Sequence, residues 1–300
     1  MEHYVFQNNA IDMYQIYYSE LKHQPQPELS FCRIVNNFRD DPAGGPTRRV
    51  SSINWKPDGG HQFAVTYVDV DFNRNTQSSV NAYIWDVEYA NNPEITIKPP
   101  CPMLDLQFNP KEVNLLAGGL LNGQVGVWDR RSPRLSAVMC SPHKAHRDVV
   151  RNVLFNNSKS GMEFFSASAD GTLKWWDARN MEEPTDELIL DMVKSPTQQQ
   201  SMGNAKGASV LEFENTLPSR FMVGTEDGSV IIGNRKGKTV VEKLGGKFDA
   251  HVGPVWTLQR NPGFLKNFLT VGDWTARVWS DDCRESPIIW TAPDRHQITD

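Results

Sequence analysis

The sequence has few cysteines, no long apolar run and no large excess of charge. Cys32, Cys101, Cys140 and Cys283 stand far apart and form no CxxC pair, which predicts reduced thiols without disulfides or zinc. The net charge of −5 supplies no positive field for general nucleic-acid binding. No apolar run approaches the ~20 residues that cross a bilayer, and the first ten residues lack a signal-peptide core. These absences predict a soluble intracellular protein without nucleic-acid or membrane partners.

Tryptophan, in contrast, is abundant, with nine in 300 residues. The stretch 166–179, SASADGTLKWWDAR, predicts two strands joined by an Asp-Gly turn, because such turns need residues that tolerate positive φ. The second strand ends in Trp176-Asp177, and His146 lies upstream. This combination is typical of one blade of a WD-repeat propeller.

The same pattern recurs along the chain. The segment from the turn to the end of the following strand, here called the step, recurs at 80–86, 123–129, 171–177, 228–234 and 274–280. The first and last copies are degenerate. Two alternating positions within each step are apolar, which indicates one face of a buried strand. The tryptophan position holds Trp85, Trp128, Trp176 and Trp279, and Gly233 is the exception.

The sequence therefore predicts an all-β fold, a WD-repeat β-propeller with five recognisable four-stranded blades. The blades are expected at 50–89, 103–138, 146–191, 208–241 and 251–290, with Val240-Val241 resembling a strand. A sixth blade is expected to begin at 293–300, so the sequence predicts an incomplete ring. Either the chain continues past Asp300 or residues 1–49 supply further strands. Those residues are expected to form an N-terminal segment with a short helix at 8–21 and a Pro/Gly linker.

One set of polar residues resembles a catalytic site but is better explained as structural. His146, Ser166 or Ser168, Asp170 and Trp176 can form a chain in which the aspartate accepts from the histidine. The arrangement is repeated by His251, Thr270, Asp273 and Trp279. A set of residues that recurs from blade to blade indicates a structural role. The residues predicted to hold the blades together are Trp85, Asp86, Trp128, Asp129, His146, Asp170, Trp176, Asp177, Asp227, His251, Asp273 and Trp279.

Other motifs do not support an enzyme, a metal site or a cofactor. His143 and His146 are spaced HxxH but lie in a predicted loop without a third ligand. The stretch 233–239 resembles a phosphate-binding loop, yet it has three residues between its glycines where four are required. No GxSxG or HExxH motif occurs.

Four residues are candidates for binding a partner. Lys144, Arg147 and Arg151 precede the inner strand of the third blade, where loops at a propeller end can dock partners. The alternative is that these three basic residues are ordinary solvated side chains at the rim of the propeller. Trp274 occupies a turn position where three other blades have glycine, and it either contacts a partner or packs within its blade.

Three stretches carry a family resemblance: LEFENTLPSRFMVGTEDG at 211–228, NFLTVGDWTARVWS at 267–280, and residues 7–14 together with AYIWDVE. They resemble dynein intermediate chains, most closely the axonemal outer-arm class, and the resemblance covers nearly the whole chain. It implies a non-catalytic scaffold subunit of the ciliary or flagellar outer dynein arm. The implied partners are the dynein heavy-chain tail, a second intermediate chain and dynein light chains. The implied location is the cytoplasm and the axonemal cytoskeleton.

The other hypothesis is a cytosolic WD-repeat adaptor of another complex, such as a chaperone or a substrate receptor of a ubiquitin ligase. The two hypotheses differ in the proteins that should co-purify with the chain.

Overall fold

The structure, a computed structural model, describes residues 32–40, 48–68, 79–132, 137–193, 198–214 and 216–292. The chain divides into two units, Met1–Asn37 and Phe38–Asp300. In the first unit, the described residues 32–37 form no helix or strand. The helix predicted at 8–21 and the blade start predicted at 293–300 lie outside the described residues.

The second unit contains five antiparallel four-stranded sheets. Blade one comprises β1 (Arg49–Trp55), β2 (Gln62–Val68), β3 (Ala82–Asp86) and β4 (Ile95–Ile97). Blade two comprises β5 (Met103–Phe108), β6 (Leu115–Leu120), β7 (Val125–Asp129) and β8 (Ala137–Met139). Blade three comprises β9 (Val150–Phe155), β10 (Glu163–Ser168), β11 (Thr172–Asp177) and β12 (Asp186–Ile189). Blade four comprises β13 (Ala208–Glu214), β14 (Leu217–Thr225), β15 (Ser229–Asn234) and β16 (Leu244–Asp249). Blade five comprises β17 (Val255–Arg260), β18 (Asn267–Gly272), β19 (Thr275–Ser280) and β20 (Ile289–Thr291).

Each sheet pairs its strands in chain order, as a meander does, and the five sheets form a β-propeller. The predicted fold class is thereby confirmed. The outer strands of blades one and four lie beyond the predicted ranges, which ended at 89 and 241. These strands follow long turns, so the sequence pattern of the third strand does not locate them.

Residues 240–241 are helical and do not form the strand that the sequence suggests. They begin α1 (Val240–Lys243), whose N-cap Thr239 accepts a hydrogen bond from the backbone N–H of Glu242. The Glu242 carboxylate accepts in turn from the backbone N–H of Lys238. Together these two hydrogen bonds favour a helical turn over an extended strand. A single 3₁₀ turn spans Met202–Asn204. Within the described ranges, no helix has both the length and the apolar character needed to cross a bilayer.

The core lies between adjacent blades, because strand pleating sends alternate side chains to opposite faces of each sheet. Trp176 is fully buried and packs with Val127 of the preceding blade. Trp175 faces the other way and contacts Phe221 of the following blade, with ring centroids 5.5 Å apart. Each blade therefore supplies apolar side chains to two interfaces.

The first strands of consecutive blades pack together in the order β1, β5, β9, β13 and β17. All five line one cavity of about 440 Å³. Side chains on these strands accept hydrogen bonds from the backbone of the next blade. The pairs are Asn54 with Phe108 N (3.1 Å), Asp105 with Val153 N (2.8 Å), Asn152 with Leu211 N (3.0 Å) and Glu212 with Arg260 N (3.4 Å). A polar connection therefore runs through successive blades near the cavity.

Residues outside the strands cover one face of the first blade. Phe38 packs edge-on against Phe63 and Trp85, with ring centroids 5.0 and 5.6 Å away. Arg48 lies over the ring of Tyr67 and forms a buried ion pair with Asp40. Phe38, Asp40 and Arg48 therefore pack within the second unit, although they precede the predicted first blade.

Candidate functional site

The polar set in blade three forms one continuous hydrogen-bond chain. Trp176 Nε1 donates to Ser166 Oγ (2.9 Å), which lies 2.6 Å from His146 Nε2. His146 Nδ1 lies 2.8 Å from Thr172 Oγ1, and that hydroxyl donates to Asp170 Oδ1 (2.7 Å). The chain links the strand end that carries Trp176 to the turn that carries Asp170.

The donor order assigns the tautomer of His146. Thr172 uses its only hydroxyl proton toward Asp170, so its oxygen accepts from His146 Nδ1–H. Nε2 is then unprotonated and accepts from the Ser166 hydroxyl. A neutral imidazole therefore satisfies every group in the chain. Burial lowers the pKa of His146, which favours the same neutral form.

The structure corrects one contact expected from the sequence. His146 Nδ1 and Asp170 Oδ1 are 3.8 Å apart, because the Thr172 hydroxyl lies between them. Burial alone would raise the pKa of Asp170, but His146, Thr172 and the backbone N–H of Arg147 lower it more. The net pKa of Asp170 lies well below its usual range. Of the two candidate serines, Ser166 belongs to the chain, and Ser168 donates to the carbonyl of Asp148 instead.

Blade five has a matching arrangement with threonines. Trp279 Nε1 donates to Thr270 Oγ1 (3.0 Å), which lies 2.9 Å from His251 Nε2. His251 Nδ1 is 3.4 Å from Thr275 Oγ1 and 3.6 Å from Asp273 Oδ2. Burial lowers the pKa of His251. The same order of indole, hydroxyl and imidazole therefore occurs twice.

Blade four replaces the histidine with lysine. The Nζ atom of Lys206 forms an ion pair with Asp227, and the Thr225 and Ser229 hydroxyls also donate to that carboxylate. Burial raises the pKa of Asp227, but these three groups lower it more, to well below its usual range. Sequence reasoning missed Lys206, although it precedes Asp227 by a spacing similar to that between His251 and Asp273.

The close approach of neighbouring blades explains the glycine at two of the turns. Gly123, with φ of +85°, would place a Cβ atom 2.3 Å from the carbonyl oxygen of His146. Gly228 has the same φ, and its Cβ would lie 2.1 Å from the carbonyl oxygen of His251. A side chain is thus excluded by both the backbone conformation and the next blade.

The remaining predicted blade residues separate into buried tryptophans and turn-forming aspartates. Trp85, Trp128, Trp176 and Trp279 are all at most 2% exposed. Asp86, Asp129 and Asp177 each accept a hydrogen bond from the backbone N–H two residues later, which stabilises the turn after the strand. Hydrogen bonds from Arg179 lower the pKa of Asp177.

Gly233, where the tryptophan is missing, is in contact with Phe221. A Cβ atom at Gly233 would lie 2.2 Å from the Phe221 ring. Phe221 in turn packs against Trp175 of blade three. The residue equivalent to Trp175 is aliphatic in each of the other blades. Two aromatic rings thus occupy the interface where the expected indole is absent.

The candidate partner-binding residues do not form one cluster. Lys144 is exposed and pairs with Glu183 (3.1 Å), and Arg151 pairs with Glu226 (3.2 Å). The backbone N–H of Arg147 donates to Asp170 (2.9 Å), while its side chain is exposed. Trp274 lies on blade five and is 56% exposed. The three basic residues belong instead to blade three and the loop before it.

The groove beside Lys144 has a volume of about 660 Å³ and is lined by charges of both signs. Lys174 extends into it and donates to the carbonyls of Lys144 and Ala145. His146 lies in its wall with both ring nitrogens engaged. In the described part of the chain, no three His, Cys, Asp or Glu side chains are grouped so that they could hold a metal ion.

Two family models match the chain. The model described as "Dynein axonemal intermediate chain 3 WD40 domain" matches residues 186–300. A model of the WD domain, G-beta repeat, matches residues 139–177, the part that contains the hydrogen-bond chain of blade three.

Curated relatives align along the whole chain. "Dynein axonemal intermediate chain 2" of Homo sapiens is 47% identical over all of this chain and 49% of the relative. "Dynein intermediate chain 3, ciliary" of Heliocidaris crassispina is 44% identical over the same shares. "Dynein, 70 kDa intermediate chain, flagellar outer arm" of Chlamydomonas reinhardtii is 34% identical over 97% of this chain and 50% of the relative. The chain thus spans about half the length of these relatives.

Proposed function

Because the chain belongs to the WD-repeat family of axonemal dynein intermediate chains, we propose that it acts as a non-catalytic scaffold subunit of the outer-arm dynein motor complex. Its place of action is then the axoneme of the cilium or flagellum, within the cytoskeleton. The observation that carries this proposal is the alignment of the entire chain with proteins named for cilia, axonemes and the flagellar outer arm.

The proposed partners are the tail of a dynein heavy chain and a second intermediate chain, with light chains as further members of the complex. A propeller suits this role physically. Its core lies between blades that are linked by hydrogen bonds from each inner strand to the next. Such a body can hold several partners at fixed positions while its own backbone moves little.

A non-catalytic role agrees with the chemistry of the polar residues. The two histidines that resemble general bases are buried and neutral, and their ring nitrogens contact hydroxyls of the same blade. A general base needs to reach a substrate proton at hydrogen-bond distance. Both nitrogens of His146 are already occupied by hydroxyl partners.

The test is co-purification of the protein expressed with a tag from its own locus in ciliated cells. We expect an axonemal dynein heavy chain and a second intermediate chain to be recovered with it in a high-salt axonemal extract. A tag on an unrelated axonemal protein controls for carry-over. Recovery of chaperone or ubiquitin-ligase subunits without a heavy chain would refute the proposal and favour the adaptor hypothesis.

A further inference from the structure

We propose that Phe38, Asp40 and Arg48, here called the strap, block an association surface on blade one. That surface matches blade five of a second copy of this chain, and the strap occupies it first. The strap is thus an autoinhibitory contact against head-to-tail association of copies. This contact between copies does not depend on the proposed place in a dynein complex.

Consecutive blades meet through the same positions each time. The earlier blade contributes apolar residues of its third strand. The later blade contributes its first strand and, in three of the four contacts, the tryptophan that ends its third strand. Between blades two and three, for example, Val127 lies in one apolar cluster with Val153 and Trp176. The strand pairings place Val278 of blade five at the position equivalent to Val127.

The face of blade five that would continue this series is open. Leu269, Ala276 and Val278 lie on it and are only half-buried. In blades one to four, the residue equivalent to Val278 is at most 8% exposed, because the next blade covers it. Blade five therefore carries the first half of a blade contact without the second.

Blade one carries the second half without the first. Val50, Ile53 and Trp55 of its inner strand are each more than half exposed. The three equivalent residues of blade three, which pack against blade two, are at most 2% exposed. The two open faces of the chain are thus the two halves of a contact that it already makes four times. That repetition identifies a second copy as the occupant.

The strap fills the outer half of the blade-one face. Trp85 is only 1% exposed, although no described blade precedes blade one. Phe38 covers it edge-on, with ring centroids 5.6 Å apart, and also contacts the Phe63 ring. Phe38 therefore takes the place against Trp85 that Val127 takes against Trp176, and blade five of another copy cannot enter.

Arg48 holds the strap in place. Its guanidinium forms a two-point ion pair with Asp40, at 2.7 and 2.8 Å, and both side chains are nearly fully buried. The remaining terminal nitrogen donates to the backbone carbonyls of Ser79 and Asn81, just before the third strand. The same guanidinium lies 4.7 Å from the centre of the Tyr67 ring. Planar, two-point pairing of this kind fixes orientation as well as position.

The geometry of the contact explains why a block is useful. A contact between two different faces of one chain is heterologous, so it repeats from copy to copy and grows into a filament unless the rotation closes a ring. Exposed β-sheet surfaces carry the same hazard, and native proteins cover them. Filling one of the two faces stops the series at its first step.

The experiment measures self-association of the purified protein by sedimentation equilibrium over a range of concentrations. We expect the wild type to remain monomeric and the double variant Phe38→Ala with Arg48→Ala to associate about tenfold or more tightly. Adding Val278→Lys to that double variant should restore the monomer, because the ammonium would be buried against Trp85. Val138→Lys is the matched control, since Val138 is an exposed valine on blade two, and it should leave the association unchanged.

Thermal unfolding of each variant shows whether it is folded. Asp40→Asn is the milder variant, because it weakens the ion pair and keeps both rings; we expect association between that of wild type and that of the double variant. If the double variant does not fold, Asp40→Asn decides: association tighter than that of wild type supports the strap, and equal association overturns it. A folded double variant that stays monomeric would overturn the proposal. So would a wild type that already associates as tightly, or association that Val278→Lys leaves intact.

Discussion

The hydroxyl oxygen of Ser166 lies 2.6 Å from His146 Nε2, and it also accepts the indole proton of Trp176 at 2.9 Å. One oxygen thus connects two buried rings that reach it from different parts of the blade.

Ser166→Ala should leave two buried ring nitrogens without a partner. We expect the free energy of unfolding to fall by roughly 2 to 4 kcal/mol, because each buried, unsatisfied polar group costs about 1–3 kcal/mol. Trp176→Ala should cost about 3–5 kcal/mol through lost packing. Urea unfolding of the purified protein measures both. Ser160→Ala, on an exposed turn, is the control, and a Ser166→Ala midpoint equal to that of the control would contradict this account.

The histidine network predicts loss of stability in mild acid. Burial lowers the pKa of His146 and His251 in the folded state, while in the unfolded chain each protonates near a pKa of about 6.5. The unfolded state therefore binds more protons as the pH falls below 6.5, so stability is complete above that pH and declines below it. Tm between pH 7.5 and 5 tests this. His146→Asn should flatten part of the decline, and an unchanged slope would contradict it.

Much of this architecture could be predicted from the sequence because the signal is local. Alternation in the strands, Asp-Gly turns and terminal tryptophans are set by neighbouring residues, and they recur often enough to identify blades. The sequence also placed His146, Asp170 and Trp176 in one chain.

The missed features depend on contacts between segments far apart in sequence. Thr172 lies between His146 and Asp170, and Lys206 takes the place of a histidine in blade four. Neither arrangement follows from the pattern of its own strand, because the partner reaches it from a different segment. The helical turn after Thr239 was missed for another reason: its capping pair is visible in the sequence, but two valines suggest a strand.

Glu212 should give a pH dependence of the opposite sign. Burial raises its pKa to about 7, against the lowering effect of the Arg260 backbone N–H and guanidinium. The folded state thus binds more protons than the unfolded state between pH 4.5 and 7. This contribution is complete below pH 4.5, is lost as the pH rises through 7, and amounts to at most about 3 kcal/mol. The difference in unfolding free energy between wild type and Glu212→Gln should therefore grow in favour of wild type as the pH falls. A constant difference would refute this assignment.

The missing tryptophan of blade four cannot simply be restored. Gly233→Trp should destabilise the protein by at least roughly 1–3 kcal/mol, because even its Cβ atom would collide with the Phe221 ring. The double variant Gly233→Trp with Phe221→Ala should recover part of that loss by vacating the space. Chemical denaturation of the two single variants and the double variant gives the coupling energy. If the unfolding free-energy changes of the two single variants add up to that of the double variant, Phe221 does not fill the vacant position.

Asp105 should couple three blades through one carboxylate. It is buried and accepts from Ser52 of blade one, from Leu106 N within its own strand, and from Asn152 and Val153 N of blade three. Burial raises the pKa of Asp105, although all four donors oppose the shift. Asp105→Asn keeps the shape but turns one acceptor oxygen into an N–H₂ group that faces donors. We therefore expect a loss on the order of 3 kcal/mol and faster proteolysis between blades. Asp249→Asn, whose carboxylate is largely exposed, is the matched control. If Asp105→Asn unfolds at the same denaturant concentration as that control, the carboxylate does not hold the blades together.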